Sequence, residues 1–506
     1  QGAYVENIGG GSSNTLFGLP VNNWEDASFN FDIPQANRTS STWTSTLHKL
    51  SSLFARVNYS YDERYLFTGI VRRDGSTRFG RNKKYGIFPS FSAGWNVSNE
   101  EFWPVNDVVN RLKIRGGYGV VGNDAIRNFG YVATIAGGFN YTLGLSDDIV
   151  TGYAPTSLDN PDLHWEETNQ FNIGFDAQLF RSLSLNFDVF KKVTNGILRP
   201  ITIPGYVGVS SSPVGNVADM ENMGVELELG YNKRFGEFNF SANGNVSYIK
   251  NKVTFVAFDA DYIAGDASFQ TISTITRIQV GQPYNSFFGY RTDGIFQNWA
   301  EIDAYRNKDG QLIQPNAQPG DFRWVDINGD GVITNDDNDK TFLGSMLPKY
   351  TFGLTLNGQY KNFDIMVFFQ GAAGNMVFQG LRRLDIGNAN YQRKVLGRWT
   401  GEGSTNEHPR LTLSDPNRNY GRMSDFYLEK GDYTRVKLVQ IGYSLPQNLV
   451  SKIGASRVRV YVTAENLLTL TGYTGYDPEI GGGVMGIDKG VYPQARSILG
   501  GIQLQF

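Results

Sequence analysis

The stretch FNIGFDAQLFRSLSLNFDVF (residues 171–190) reads in twos. Phe171, Ile173, Phe175, Ala177 and Leu179 fall on one side of a pleated strand. After the break at Arg181 and Ser182, Leu183, Leu185, Phe187 and Val189 fall on one side of the next. Two alternating runs joined by a tight break form the pattern of a β-hairpin with one apolar face. The positions between them carry Asn, Asp, Gln, Ser and Gly.

The same unit returns in VELELGYNKRFGEFNFSANGNVSY (225–248), in FGLTLNGQYKNFDIMVFFQG (352–371) and, as a single strand, in the terminal SILGGIQLQF (497–506). Reading the whole chain this way predicts about thirteen strands of roughly 9 to 14 residues, the length a tilted strand needs to cross a bilayer. They lie near 50–60, 64–75, 84–97, 110–120, 165–179, 183–196, 222–234, 237–250, 347–360, 363–376, 432–444, 455–466 and 492–506. Their connections alternate. DER, RS, GE and KN are tight, NEEFWPVNDVVN and QNLVSKIGA are short to medium, and long loops such as 121–164, 251–346 and 377–431 come between.

Short turns at one end and long loops at the other are the signature of an outer-membrane barrel, whereas a soluble sandwich or β-helix has no reason to sort its loops. The fold class is therefore all-β, an antiparallel transmembrane β-barrel with its long loops outside and its C-terminus in the periplasm. The last strand reads as one that pairs to close the barrel and remove an edge. In this reading Leu183, Leu185, Phe187 and Val189 face lipid, and Ser184, Asn186 and Asp188 face the interior. An odd strand count with a periplasmic C-terminus puts residue 1 outside. Residues 1–48 then form part of an extracellular loop and 49–506 the C-terminal part of a barrel, with 251–346 and 377–431 as large extracellular loops.

Composition agrees and excludes other classes. No apolar run approaches the roughly 20 residues of a spanning helix. The 506-residue chain has no cysteine, which removes disulfide scaffolds, thiolate metal sites and cysteine nucleophiles. A net charge of −3 with interspersed signs offers no basic field for nucleic acid. Aromatics at 14%, mostly Tyr and Phe, suit pleated surfaces and interfacial belts. The opening QGAYVENIGGGSSNT has neither the basic nor the apolar region of a signal peptide.

Four segments add a family. GDYTRVKLVQIGYSLP (431–446), RVRVYVTAENLLTLTGYTGYDPEI (457–480), ERYLFTGIVRRDGSTRFGRNKKYGIFPSFSAGWNVSNEEFW (63–103) and LKIRGGYGVVGN (112–123) resemble the SusC-type TonB-dependent outer-membrane transporters of Bacteroidetes. The resemblance implies a barrel of about 22 strands around an N-terminal plug. It also implies energy from the inner-membrane TonB protein and a SusD-like surface lipoprotein over the mouth. On this comparison the chain lacks about nine strands, the plug and the TonB-contacting segment of the large plugged class. The expected function is import of a nutrient too large for porins, an oligosaccharide first. Import of oligopeptides is the alternative, as is a structural or assembly role within a larger outer-membrane complex.

DINGDGVITNDD (326–337) fits the calcium-loop template. Asp326, Asn328, Asp330, the Val332 carbonyl, Thr334 and Asp337 stand at the ligand positions, and Gly331 at the tight turn. Hard cations need several oxygens converging on one point, so calcium is expected before magnesium; the alternative is an acidic, Asx-rich turn that holds no ion. Asp is shorter than the usual Glu at the last position, which weakens the site, and no flanking helices suggest an EF-hand switch. GYGVVG (117–122) matches a dinucleotide fingerprint, but no amphipathic helix follows to hold a phosphate, so it reads as a glycine-rich strand. His48, His164 and His408 lack zinc-binding spacing. No nucleophile arrangement supports an enzyme. Trp24, Tyr141, Trp299, Tyr391, Trp399 and Tyr420 lie in the outer loops, where aromatic rings stack on sugars or pack within the loops.

Overall fold

The structure, a computed structural model, describes residues 2–506 except 8, 22, 24, 29, 30, 32, 45–47, 105, 145–147, 202, 210, 258, 259, 273, 383–389 and 481–485. Fourteen strands form one antiparallel sheet in strict chain order. They are β1 (Gly2–Asn7), β2 (His48–Tyr61), β3 (Tyr65–Ser76), β4 (Tyr85–Asn96), β5 (Val109–Asn123), β6 (Glu166–Leu179) and β7 (Leu183–Asn195), followed by β8 (Ala218–Phe235), β9 (Phe238–Val256), β10 (Tyr350–Tyr360), β11 (Phe363–Ala373), β12 (Tyr433–Ser444), β13 (Arg457–Thr471) and β14 (Ser497–Gln505). The sequence reading anticipated thirteen of these.

The added strand corrects the expectation that residues 1–48 are all loop. β1 pairs with the upper part of β2, from Gly2 opposite Leu53 to Asn7 opposite His48. Six residues are too few for alternation to stand out in GAYVEN, and the strand is set by its neighbour's free edge. Residue 2 therefore lies at the level of Leu53 within the wall, not outside it. Beyond the wall, Gly10–Leu16 and Arg38–Thr44 form a projecting two-stranded ribbon. The sheet's outer members are β1 and β14, and among the described residues these do not pair with each other.

The connections sort as the sequence implies. Residues 62–64, 97–108, 180–182, 236–237, 361–362 and 445–456 turn at one end, and 8–47, 77–84, 124–165, 196–217, 257–349, 374–432 and 472–496 leave from the other, all of these but 77–84 being longer than any turn at the first end. Aromatic residues crowd the short-turn end. Tyr61, Tyr65, Phe180, Phe235, Phe238, Tyr360 and Phe363 flank or occupy the turns, and Phe506 ends the chain beside them, all exposed. This is the interfacial girdle of a barrel, and Phe506 takes its place in it.

The two faces separate by chemistry. Phe187 stands opposite Phe175 and Leu227, and Val189 opposite Ile173 and Val225, on an apolar face. The Phe175 and Phe187 rings are 5.7 Å apart. Asp188 points the other way: Arg115 of β5 donates to it from Nη1 and Nη2 at 2.6 and 2.5 Å and to Asp176 from Nε at 2.9 Å. Asn186, Asp188, Glu226 and Glu228 share a polar recess of about 360 Å³ with Arg115. Alternation changes phase once in β12, where the register shifts between Val436 and Leu438. This moves the apolar positions from Val436 to Val439 and Ile441 and keeps them on one face.

The long loops are packed against one another. Ala267, Ile275 and Phe287 from loop 257–349, Phe378, Met423 and Tyr427 from loop 374–432, and Ile487 from loop 472–496 make one buried cluster. Met376–Gln379 pairs antiparallel with Leu428–Lys430 and parallel with Ile487–Asp488. The outer loops thus form a cap with its own core.

The separation of faces predicts that Phe187→Arg destabilises the wall by about 2–4 kcal/mol, the cost of a cation facing the hydrocarbon, while Asn186→Arg on the opposite face is tolerated. Urea unfolding of the protein refolded into lipid vesicles measures both. Equal costs would overturn the assignment of faces.

Candidate functional site in the extracellular loops

Loop 257–349 carries the acidic stretch that the sequence singles out. Trp324, fully buried, anchors its start: the indole Nε1 donates to the Asn417 carbonyl at 3.1 Å, and its backbone N–H donates to Gln314 Oε1 at 2.7 Å. Tyr290, Ile295 and Phe322 complete that core. Two residues on, the Asp326 carboxylate accepts the Gly329 N–H on Oδ1 and the Gly331 N–H on Oδ2, each at 2.8 Å. Gly331 has φ +86°, and a Cβ there would stand 2.4 Å from Asn307, so the turn admits only glycine.

The structure gathers Asp326 and Asp330 but recruits Asp339 as the third acid. One carboxylate oxygen from each lies within 4.8 Å of the others, an arrangement able to bind a metal. The remaining template residues do other work. The Asn328 side chain exchanges hydrogen bonds with Asp330, donating to Oδ2 at 2.8 Å and accepting its N–H at 3.1 Å. Val332 is exposed and donates its N–H to Asp330 Oδ1 at 3.0 Å. The Thr334 hydroxyl donates to Asp336, and its carbonyl accepts the Tyr290 hydroxyl at 2.7 Å.

Asp337, the twelfth position of the template, is drawn away from the cluster. Lys340 Nζ and the Tyr262 hydroxyl each reach it at 2.8 Å, and Arg277 pairs with it. Arg277 lies between the rings of Tyr262 and Phe288, 3.5 Å from each centroid. Burial works against the Asp337 charge, but Lys340 and Tyr262 outweigh it and hold this carboxyl below its ordinary range. Asp339 behaves oppositely: burial pushes it up, and Asp326 and Asp330 add to the shift. Local spacing could not identify Asp339, which lies two residues beyond the template. Asp339 stands directly before the strand Lys340–Gly344 and is fully buried, a placement that only the fold reveals.

The outer aromatics divide. Trp24 lies outside the described residues. Tyr391 and Tyr420 are stacked with Arg382, whose guanidinium is 4.2 and 4.5 Å from their centroids. Trp399 packs on the Ile295–Trp324 core and donates to Gln297 at 3.1 Å. Tyr141 and Trp299 remain exposed. A separate cavity of about 700 Å³ opens among three loops, lined by Ile201, Ile203, Val217, Ile263 and Tyr262 with Asp159 beside them.

The histidines stay apart. His48 meets Asp124 at 3.0 Å, His164 Nδ1 lies 2.9 Å from the Asp162 carbonyl, and His408 is buried edge-on to Phe426. GYGVVG lies inside β5, and a Cβ on Gly122 would stand 2.1 Å from Phe88, so close packing explains that glycine. Sequence reasoning also missed Arg435 of β12. Only 2% exposed, it donates to Asp477 at 2.5 Å and Glu479 at 2.6 Å and so ties loop 472–496 to the wall.

An antiparallel wall with an aromatic girdle, an apolar outer face, charged inner pairs and a cap of loops at one end defines an outer-membrane β-barrel. A family model described as TonB dependent receptor-like, beta-barrel, matches residues 3–467, and the chain belongs to that family. It is 32% identical over 473 residues to TonB-dependent receptor P3 of Formosa agariphila, across 90% of this chain and 46% of that one. It is 28% identical over 471 residues to TonB-dependent receptor SusC of Bacteroides thetaiotaomicron, across 91% and 44%. Among solved structures, the RagAB peptide transporter matches with a TM-score of 0.76 and 25% identity, over 94% of this chain and 50% of that one. The chain thus spans about half the length of the relatives it matches. These are receptors and not enzymes, as the absence of a catalytic constellation in the sequence led us to expect.

Two outcomes follow from these loops. Arg435→Met leaves the buried Asp477 without its cation, while Lys437 still pairs with Glu479 at 3.2 Å, and should cost about 3–5 kcal/mol, read as faster protease cleavage within 472–496. His408 is held down to about 4 by burial, with Lys394 and Arg382 contributing. The unfolded loop therefore takes up a proton near pH 6.5, which the folded ring refuses until about pH 4. Stability of this region is complete above pH 6.5 and should fall by about 2 kcal/mol at pH 5. Hydrogen exchange of residues 391–431 measures it, and His408→Gln should abolish the dependence.

Proposed function

We propose that the complete receptor imports an oligomeric nutrient across the outer membrane, energised through TonB and lidded by a SusD-like lipoprotein. The observation that carries this reading is the packed cap of long loops at one end of a lipid-facing wall, in a chain of this family. The wall supplies scaffold and lumen, the cap captures, and no covalent step is required. A strand edge left free in hydrocarbon costs several kcal/mol per unpaired backbone group, so β14 and the β1–β2 edge pair with strands from the rest of the receptor. That remainder also supplies the plug and the TonB contact.

Oligosaccharide is the substrate class we favour, because Tyr141 and Trp299 are exposed in the outer loops, where an aromatic ring can stack on a sugar. A second reading, oligopeptide, is favoured by the cavity near Ile201 and Ile263. It is apolar, its one aromatic among the described residues, Tyr262, is already covered by Arg277, and Asp159 at its edge suits an amine. The RagAB likeness points the same way.

Deleting the gene and offering oligosaccharides, oligopeptides and their monomers as sole carbon sources tests both. Loss of growth on oligosaccharides alone supports the first reading, and loss on peptides alone the second. Unchanged growth on every oligomer would overturn import.

A further inference from the structure

Three carboxylates meet in loop 257–349 with no ion pair among the described residues, the Arg422 guanidinium acting on Asp339 only through space. No Lys or Arg among the described residues forms an ion pair with Asp326, Asp330 or Asp339, although Arg277 and Lys340 stand close enough to pair with Asp337. Like charges gathered this closely repel unless a cation sits among them. A second observation concerns the buried member of the cluster. Asp339 is fully buried, and its Oδ1 has no hydrogen-bond partner, while Oδ2 accepts the Thr334 N–H at 2.9 Å. A buried carboxylate oxygen left unpartnered is costly and calls for a ligand.

We propose that Asp326, Asp330 and Asp339 hold one divalent cation, calcium in preference to magnesium. Oxygens within 4.8 Å of one another fit around an ion with bonds of about 2.3–2.6 Å, and three hard anionic donors with open positions for carbonyls or water suit calcium's flexible shell. Backbone N–H groups of Gly329, Gly331, Val332 and Thr334 already orient the three carboxylates, the outer support that a metal site needs. The ligand set departs from the linear template, because Asp337 is not a ligand. It is an anchor, bound through Arg277 to Tyr262 and Phe288. The cation joins the segment leaving Trp324 to the start of the strand Lys340–Gly344 and so fastens the acidic turn to the cap. This inference does not depend on what the receptor transports.

The test uses the full receptor in detergent, with tryptophan-excited terbium luminescence as the probe and calcium or magnesium as competitor. Saturable terbium binding that calcium displaces better than magnesium is expected for the wild type. Asp339→Asn keeps an amide oxygen for the Thr334 N–H, and Asp330→Asn lies on the exposed side of the turn, so both variants should fold. Each should weaken calcium binding by about tenfold or more. Asp337→Asn should leave affinity unchanged and instead raise protease sensitivity near Tyr262. Absence of saturable binding in the wild type would overturn the site, and stronger competition by magnesium would overturn the choice of ion. A loss in Asp337→Asn equal to that in Asp339→Asn would overturn the ligand set.

Discussion

In hydrocarbon no water is available to satisfy a backbone N–H or C=O, so each must find its partner in a neighbouring strand. This requirement explains why the strands run unbroken for about a dozen residues, why they follow one another in chain order and why most turns at one end take only two or three residues. It also shapes the local irregularities. The register shift at Lys437 costs one ladder position but keeps Val439 and Ile441 on the face of Val436. Gly122, beyond the last β4–β5 pair at Ser90 and Gly119, leaves room for the ring of Phe88.

Once the wall is paired, charge can be placed only on the inside. Arg115 bridges Asp176 and Asp188, and Arg459 bridges Asp364 and Gln440, each linking neighbouring strands across the inner face. Guanidinium suits this role because its planar fork reaches two acceptors at once. Asp188 faces Glu226 directly across the β7–β8 pair, a repulsive arrangement that Arg115 relieves. These pairs set the polarity of the interior that any transported molecule meets.

Above the membrane the constraint changes. Loops are again free to use water, yet here they share a core, a parallel strand pairing and ion pairs such as Arg435 with Asp477. A cap ordered in this way presents a shaped surface, which is what selective capture requires. The arginines recur as organisers: Arg277 between two rings and Arg382 beside two others take aromatic faces that a sequence reading would leave free for sugar. Tyr141 and Trp299 stay exposed, as do Tyr153, Tyr206, Tyr476 and Tyr492, also in the outer loops.

Period-two alternation was enough to place thirteen wall strands within a few residues, to assign Phe187 and Asp188 to opposite faces and to put every long loop at one end. These are local properties, because a strand buried on one face writes its neighbours' environment into every second residue. Asp326 and Asp330 were legible for the same reason, being fixed by spacing within one turn. Tertiary structure decided the rest. β1 exists because β2 offers it an edge, and no alternation within six residues could announce that. The third acid of the cluster is Asp339 because Arg277, distant in sequence, captures Asp337 and burial turns Asp339 inward. Arg435 became the hold on loop 472–496 only when Asp477 and Glu479 folded down to it. Such choices depend on contacts between segments far apart in the chain, where no sequence period connects the partners.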